Sequence, residues 1–109
     1  MKQYRVNILP HAQSDLEQIH DYIAHTLLSP LTAQKTVSAL RKEILSLDTM
    51  PRRIKLTDEE PWRSIGIHRM RVKNYYVYFW IDEEGLCVHV AGVIYSARNQ
   101  IEQLKHMEL

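Results

Sequence analysis

Residues Ile67–Asn99 read I-H-R-M-R-V-K-N-Y-Y-V-Y-F-W-I-D-E-E-G-L-C-V-H-V-A-G-V-I-Y-S-A-R-N, and this stretch decides the fold. It holds three apolar runs separated by two polar turns. In the first run His68, Met70 and Val72 alternate with Ile67, Arg69 and Arg71, the period of two that marks a strand with one buried face. Lys73-Asn74 predicts a tight turn in which the asparagine takes a left-handed conformation. In the second run Tyr75, Val77, Phe79 and Ile81 are expected to face the core, leaving Tyr76, Tyr78 and Trp80 on the other side. Asp82-Glu83-Glu84-Gly85 reads as a hairpin loop with the glycine in the left-handed position. In the third run Val88, Val90 and Ile94 share a face with Gly92, while His89, Ala91, Val93 and Tyr95 take the other. Gly92 is expected at a bulge or a close backbone approach.

Working outward, Tyr4, Val6 and Ile8 alternate with polar residues and predict a short N-terminal strand, which Pro10 ends. Ala12, Leu16, Ile19, Ile23 and Leu27 then form one stripe of an amphipathic helix that should end near Leu28. Ser29-Pro30 restarts the chain as a second helix, with the serine suited to cap it and the proline to its first turn. Its stripe is Ala33, Val37, Leu40, Ile44 and Leu47. Two such stripes joined by a short connection make an antiparallel helical hairpin, whose apolar faces need a sheet to cover. Residues 52–64 have no period and read as an irregular connection anchored by Trp62. Ala97, Ile101 and Leu104 predict a short C-terminal helix. The expected fold is therefore α+β: an N-terminal strand, a helical hairpin, three antiparallel strands and a C-terminal helix, in a single domain spanning 1–109.

Composition narrows the function classes. A charged fraction of 25% and an apolar fraction of 45% are ordinary for a globular chain. No apolar run approaches the ~18 residues of a membrane span, and the N-terminus lacks a signal peptide's apolar segment, so the cytoplasm is the expected compartment and no membrane partner is expected. The single cysteine, Cys87, rules out an internal disulfide and reads as a buried thiol. The six histidines show no metal-ligand spacing, and with three glycines there is no phosphate-cradling loop, so neither metal nor cofactor is expected. Charge is uneven along the chain. Between Arg52 and Lys73 lie seven basic residues and three acidic ones. That excess, which includes Arg63 and Lys73, points to an anionic partner or to a solvated face.

The sheet face carrying Arg69, Arg71, Tyr76, Tyr78 and Trp80 combines guanidiniums with aromatic rings. Such a face can neutralise phosphates and stack bases, can bind a protein, or can simply pack under another element. His68 is the candidate general acid or base, since imidazole titrates near neutrality.

Taken together, Y-R-V-N-I-L-P-H-A-Q-S-D-L-E-Q-I-H-D-Y-I-A, S-P-L-T-A, L-D-T-M-P, H-R-M-R-V-K-N-Y-Y-V-Y-F and V-I-Y-S-A-R-N resemble, in that order, the RelE/ParE superfamily of type II toxin–antitoxin toxins. The resemblance spans the whole chain and implies the α+β fold already read from periodicity. It also implies an antitoxin partner and one of two targets. RelE-like members cleave mRNA on the ribosome, and ParE-like members poison DNA gyrase. Arg69 and Arg71 match basic positions of the pattern, Arg98 matches the arginine of its closing motif, and Tyr95 takes the aromatic or histidine position beside it. Tyr76 stands where ribonuclease members commonly carry arginine, and no tyrosine follows Arg98. The long hairpin and V-I-Y-S-A-R-N look closer to ParE-like sequences. RNA cleavage needs a base, an acid and cations for the phosphate. Arg69, Arg71 and Arg98 would supply the cations, and His68 and Tyr95 are the proton handlers at hand. The resemblance thus implies a gyrase inhibitor, an mRNA interferase, or a degenerate module that binds antitoxin without toxicity.

Overall fold

The computed structural model describes residues 2–109. Strand β1 (Arg5–Ile8) leads into helix α1 (Pro10–Asp21), with Pro10 at its first turn, and α1 continues as a π-helical turn over Tyr22–Thr26. Helix α2 (Pro30–Leu45) returns antiparallel to it. Strands β2 (His68–Val72), β3 (Tyr75–Asp82) and β4 (Cys87–Tyr95) follow, then the short helix α3 (Gln100–Leu104). The sheet has four strands rather than three. β1 lies parallel to β4 at one edge, giving the order β1-β4-β3-β2. The parallel register is reached because the whole hairpin and β2–β3 intervene between these two strands, ample length for a crossover.

The hairpin covers one sheet face. Ala12, Leu16, Leu40, Ile44 and Leu47 pack against Met70, Val72, Val77, Phe79, Val88, Val90 and Val93 in the main core. Alternation on β2 and β3 runs as the sequence predicts. On β4 it does not. Phe79 pairs with Val90 but Tyr78 pairs with Gly92, so Ala91 is an extra residue at a bulge. The bulge reverses every later side chain. Val93 therefore faces the hairpin and Ile94 the opposite side, the reverse of a strict period of two, and Tyr95 lies on the hairpin side with its directly paired neighbour Tyr75. Asp15 of α1 holds the bulge, its Oδ2 accepting the Val93 N–H at 2.9 Å. β1 has ended by then, so this carboxylate takes the place of a strand partner.

Several turns differ from expectation for local reasons. The left-handed residue of the β2–β3 turn is Lys73 at φ +52, not Asn74. In the β3–β4 loop it is Leu86 at φ +48, whereas Gly85 is needed because the Asp82 carboxylate accepts its N–H and sits where a Cβ would project. Ser29 does not cap α2 with its side chain. Its hydroxyl donates to the Leu27 carbonyl, and its N–H closes the preceding turn on Ile23 at 3.0 Å. The π-helical turn also ends the first stripe at Ile23, and Leu27 is exposed.

Candidate functional site

The sheet face away from the hairpin is not open. Helix α3 lies across it, with Trp62 and Ile67 of the connection before β2. Ile67, Tyr78, Ile94 and Leu104 are buried there, with Trp62, Tyr76, Trp80 and Met107 packed around them. Trp62 thus anchors the connection, though to this second cluster. Tyr78 is fully buried, its hydroxyl donating to Gln100 Oε1 at 2.8 Å, and burial pushes its pKa up to about 12. Trp80 stacks on His89 with ring centroids 4.3 Å apart. Tyr78 and Trp80 were candidates for partner contact, and both are here covered by the chain's own tail.

Segment 55–57 runs beside β2 as a partial extra strand. The Thr57 N–H donates to the Ile67 carbonyl at 2.8 Å and the Arg69 N–H to the Lys55 carbonyl at 3.2 Å. The following residues turn back over β2 and place two carboxylates on Arg69, Glu59 at 3.3 Å and Asp58 at 3.6 Å. Glu59 also accepts the Thr57 hydroxyl, which fixes its direction. The Arg69 guanidinium lies 4.4 Å above the Tyr76 ring, and its side chain is 17% exposed. A guanidinium met by two carboxylates and a π face has its charge satisfied within the fold. Arg63 joins the same network, 3.8 Å from Asp58 and donating to the Thr57 carbonyl at 3.2 Å.

Arg71 is different. It is exposed, its Nε donating to the Lys73 carbonyl at 2.8 Å and its Nη1 to the Tyr76 hydroxyl at 3.3 Å. No carboxylate meets it, or Lys73 or Lys55, among the ion pairs of the described residues. Lys55 and Arg71 line a shallow groove of about 510 Å³ along the open end of the β2 edge, together with Arg53, Ile54, Arg69, Met70 and Tyr76. Arg53, Lys55, Arg71 and Lys73 all belong to the basic excess of residues 52–73. Net charge along the chain does not reveal that two of the three acidic residues within it, Asp58 and Glu59, neutralise Arg69. The D-E-E run between basic residues was the available signal.

The proton handlers lie elsewhere. His68 is on the hairpin face of β2, buried, stacked on Phe79 at 5.0 Å and hydrogen-bonded through Nδ1 to the Ile54 carbonyl at 2.7 Å. Burial, with Arg52 nearby, holds its pKa below the usual histidine value despite that bond. Tyr95 is also on the hairpin side, edge-on to Tyr75 at 5.6 Å. Arg98 is exposed in the turn before α3, donating to Gln103 Oε1 at 3.4 Å. The structure therefore brings Arg69 and Arg71 together over Tyr76 and puts His68 and Tyr95 on the opposite face. Among the described residues no three His, Cys, Asp or Glu side chains converge as a metal site, and no helix is long and apolar enough to cross a membrane.

The chain that folds in this way matches a known family. The model of the ParE toxin of type II toxin–antitoxin systems, parDE, fits residues 6–100. The chain belongs to the ParE toxin family. Solved structures agree on the fold. A chain of the chromosomal ParDE system of Pseudomonas aeruginosa superposes with TM-score 0.71 at 17% identity, covering 85% of this chain and 96% of that one. The RelBE2 toxin–antitoxin complex of Mycobacterium tuberculosis gives 0.66 at 22% identity, covering 90% and 97%. A free-state arginine mutant of Escherichia coli RelE gives 0.62 at 14%, covering 95% and 97%. No curated protein matches the chain by sequence. ParE and RelE structures alike thus share this backbone.

Proposed function

We propose that this ParE-family toxin arrests bacterial growth by binding a protein target, DNA gyrase, and that a cognate antitoxin restrains it by covering the basic groove. The observation that carries the choice of target is the separation of the chemical groups. Phosphodiester cleavage requires a base, an acid and a free cation around one phosphate. Here His68 and Tyr95 face the hairpin while Arg71 faces away, and Arg69 is already met by Glu59 and Asp58. Inhibition by binding needs no such convergence. The match to the ParE toxin model supports the same reading.

The groove of Arg53, Lys55 and Arg71 suits an acidic stretch of antitoxin, with the apolar walls of Ile54 and Met70 beneath it. The P. aeruginosa and M. tuberculosis relatives come from toxin–antitoxin systems, which supports such a partner. One observation favours the second reading, an mRNA interferase: Arg71 beside the half-exposed Tyr76 ring is a combination that can hold a phosphate and stack a base.

Induced expression without antitoxin tests the toxin reading. Growth should stop within a few generations, and harmless accumulation of folded protein would contradict it. Lys55→Glu with Arg71→Glu should weaken antitoxin binding by about tenfold or more by isothermal titration calorimetry, as expected for reversing charges that face an acidic partner.

A further inference from the structure

The tip of the helical hairpin is used by nothing described so far. Residues 22–34, Y-I-A-H-T-L-L-S-P-L-T-A-Q, contain no Asp, Glu, Lys or Arg in a chain that is one quarter charged. Within that run Tyr22, Leu27, Leu28 and Leu31 are 57%, 53%, 81% and 71% exposed. Two backbone irregularities accompany the exposure of Leu27 and Leu28. The π-helical turn at Tyr22–Thr26 rotates Leu27 off the buried stripe, and Leu28 adopts φ +54, where helix ends ordinarily carry glycine or asparagine. Leu28 sits in a costly conformation with its side chain in solvent, so packing does not explain it. Strain of this kind, held on an exposed apolar side chain, marks a surface kept for a partner.

Resting on the toxin reading above, we propose that this tip is the surface by which the protein grips its target, and that the target presents an uncharged apolar cleft of a folded protein. Charge selects that occupant. With no Lys or Arg on residues 22–34 and His25 as its one imidazole, the tip has no fixed cation to neutralise a nucleic-acid phosphate or an anionic headgroup. Exposed Asp21 and Lys35 stand at its base, so an apolar centre is bordered by one charge of each sign, the layout of a protein–protein contact with a polar rim. Area argues against a second copy of this chain. The four side chains expose on the order of 500 Å² in all, so two tips face to face would bury about 1,000 Å², below the ~1,200–2,000 Å² of stable complexes. A concave cleft also reaches the exposed flanks at Thr26, Pro30 and Thr32, which a second convex tip would miss. Tyr22 is then the aromatic anchor at the edge of the contact.

Leu28 permits a clean test, because asparagine tolerates a left-handed backbone better than leucine does. Leu28→Asn and Leu31→Gln are compared with the unaltered chain, singly and together. Both should keep the circular dichroism spectrum, and Leu28→Asn should melt at the same temperature or higher. Affinity for the cognate antitoxin should stay within about twofold, while the inducer dose that arrests growth should rise by about tenfold or more, as for loss of a central apolar contact. Arrest at the unaltered dose would overturn the proposal. So would an equal loss of antitoxin affinity, which would make the tip an antitoxin contact. A dimer of the unaltered chain in analytical ultracentrifugation that Leu28→Asn dissolves would assign the tip to a second copy. Leu28-dependent capture on neutral or anionic phospholipid vesicles would assign it to a membrane. Either result would also overturn the proposal. If the unaltered chain does not arrest growth, the toxin reading fails first and takes this proposal with it.

Discussion

At the scale of single residues, Arg69 and Arg71 carry the same chemistry two positions apart on one strand and end in different states. Glu59 and Asp58 close on Arg69, while Arg71 is left with carbonyl and hydroxyl partners. The difference predicts opposite mutational behaviour. Arg69→Ala should destabilise the fold by ~1–3 kcal/mol in chemical denaturation, because it strands the partly buried Glu59 and removes the cover from Tyr76. Arg71→Ala should change stability by less than ~0.5 kcal/mol, as exposed substitutions usually do. His68 makes a prediction in pH. Burial lowers its pKa below 6.5, so the native site resists a proton that the unfolded chain accepts. The stability that neutral His68 contributes is complete above pH 6.5 and is lost as the pH falls through its native pKa. Urea midpoints at pH 7.5 and 5.5 should therefore differ more for the native chain than for His68→Gln. An equal pH dependence in both would place the effect on other groups.

At the scale of elements, the β4 bulge does most to arrange the site. By adding Ala91 it sends Ile94 to the α3 side and Tyr95 to the hairpin side, which removes Tyr95 from the face it was expected to share with Arg71. Asp15→Ala should loosen this junction, because the buried Val93 N–H would lose its acceptor, at a cost of ~1–3 kcal/mol. Asp15→Asn, which keeps an acceptor oxygen, should cost less. Hydrogen exchange of the Val93 amide reads the effect directly. The bulge also marks how far the sequence could be read. The hairpin stripes up to Ile23 and along α2, and the β2 and β3 faces, follow from periodicity, because each is set by a local repeat of burial. Gly92 signalled an irregularity, but which neighbour became the extra residue depends on the Asp15 contact from a helix far earlier in the chain. The 52–64 connection was opaque for a similar reason. Its order comes from pairing with β2 and from the Asp58–Glu59 grip on Arg69, both long-range relations that no local pattern encodes.

At the scale of the whole molecule, the sheet is enclosed on both sides, by the hairpin and by α3 with Trp62 and Ile67. The second enclosure is thin and depends on Leu104, buried against Ile67, Tyr78 and Ile94. Leu104→Ala should cost ~2–5 kcal/mol, as other fully buried leucines do. It should also expose Tyr78 and Trp80, which near-ultraviolet circular dichroism would report. With both faces covered, two surfaces offered to partners are the basic groove at the β2 edge and the hairpin tip without Asp, Glu, Lys or Arg, one suited to an acidic segment and the other to an apolar cleft. Neither assembles an acid, a base and a free cation at one point.

That account is tested most directly by adding the purified protein to two assays in parallel, plasmid supercoiling by DNA gyrase and cleavage of ribosome-bound mRNA. It predicts that supercoiling is inhibited and gyrase-cleaved DNA accumulates while the mRNA stays intact; untouched gyrase beside mRNA cut on the ribosome would contradict it.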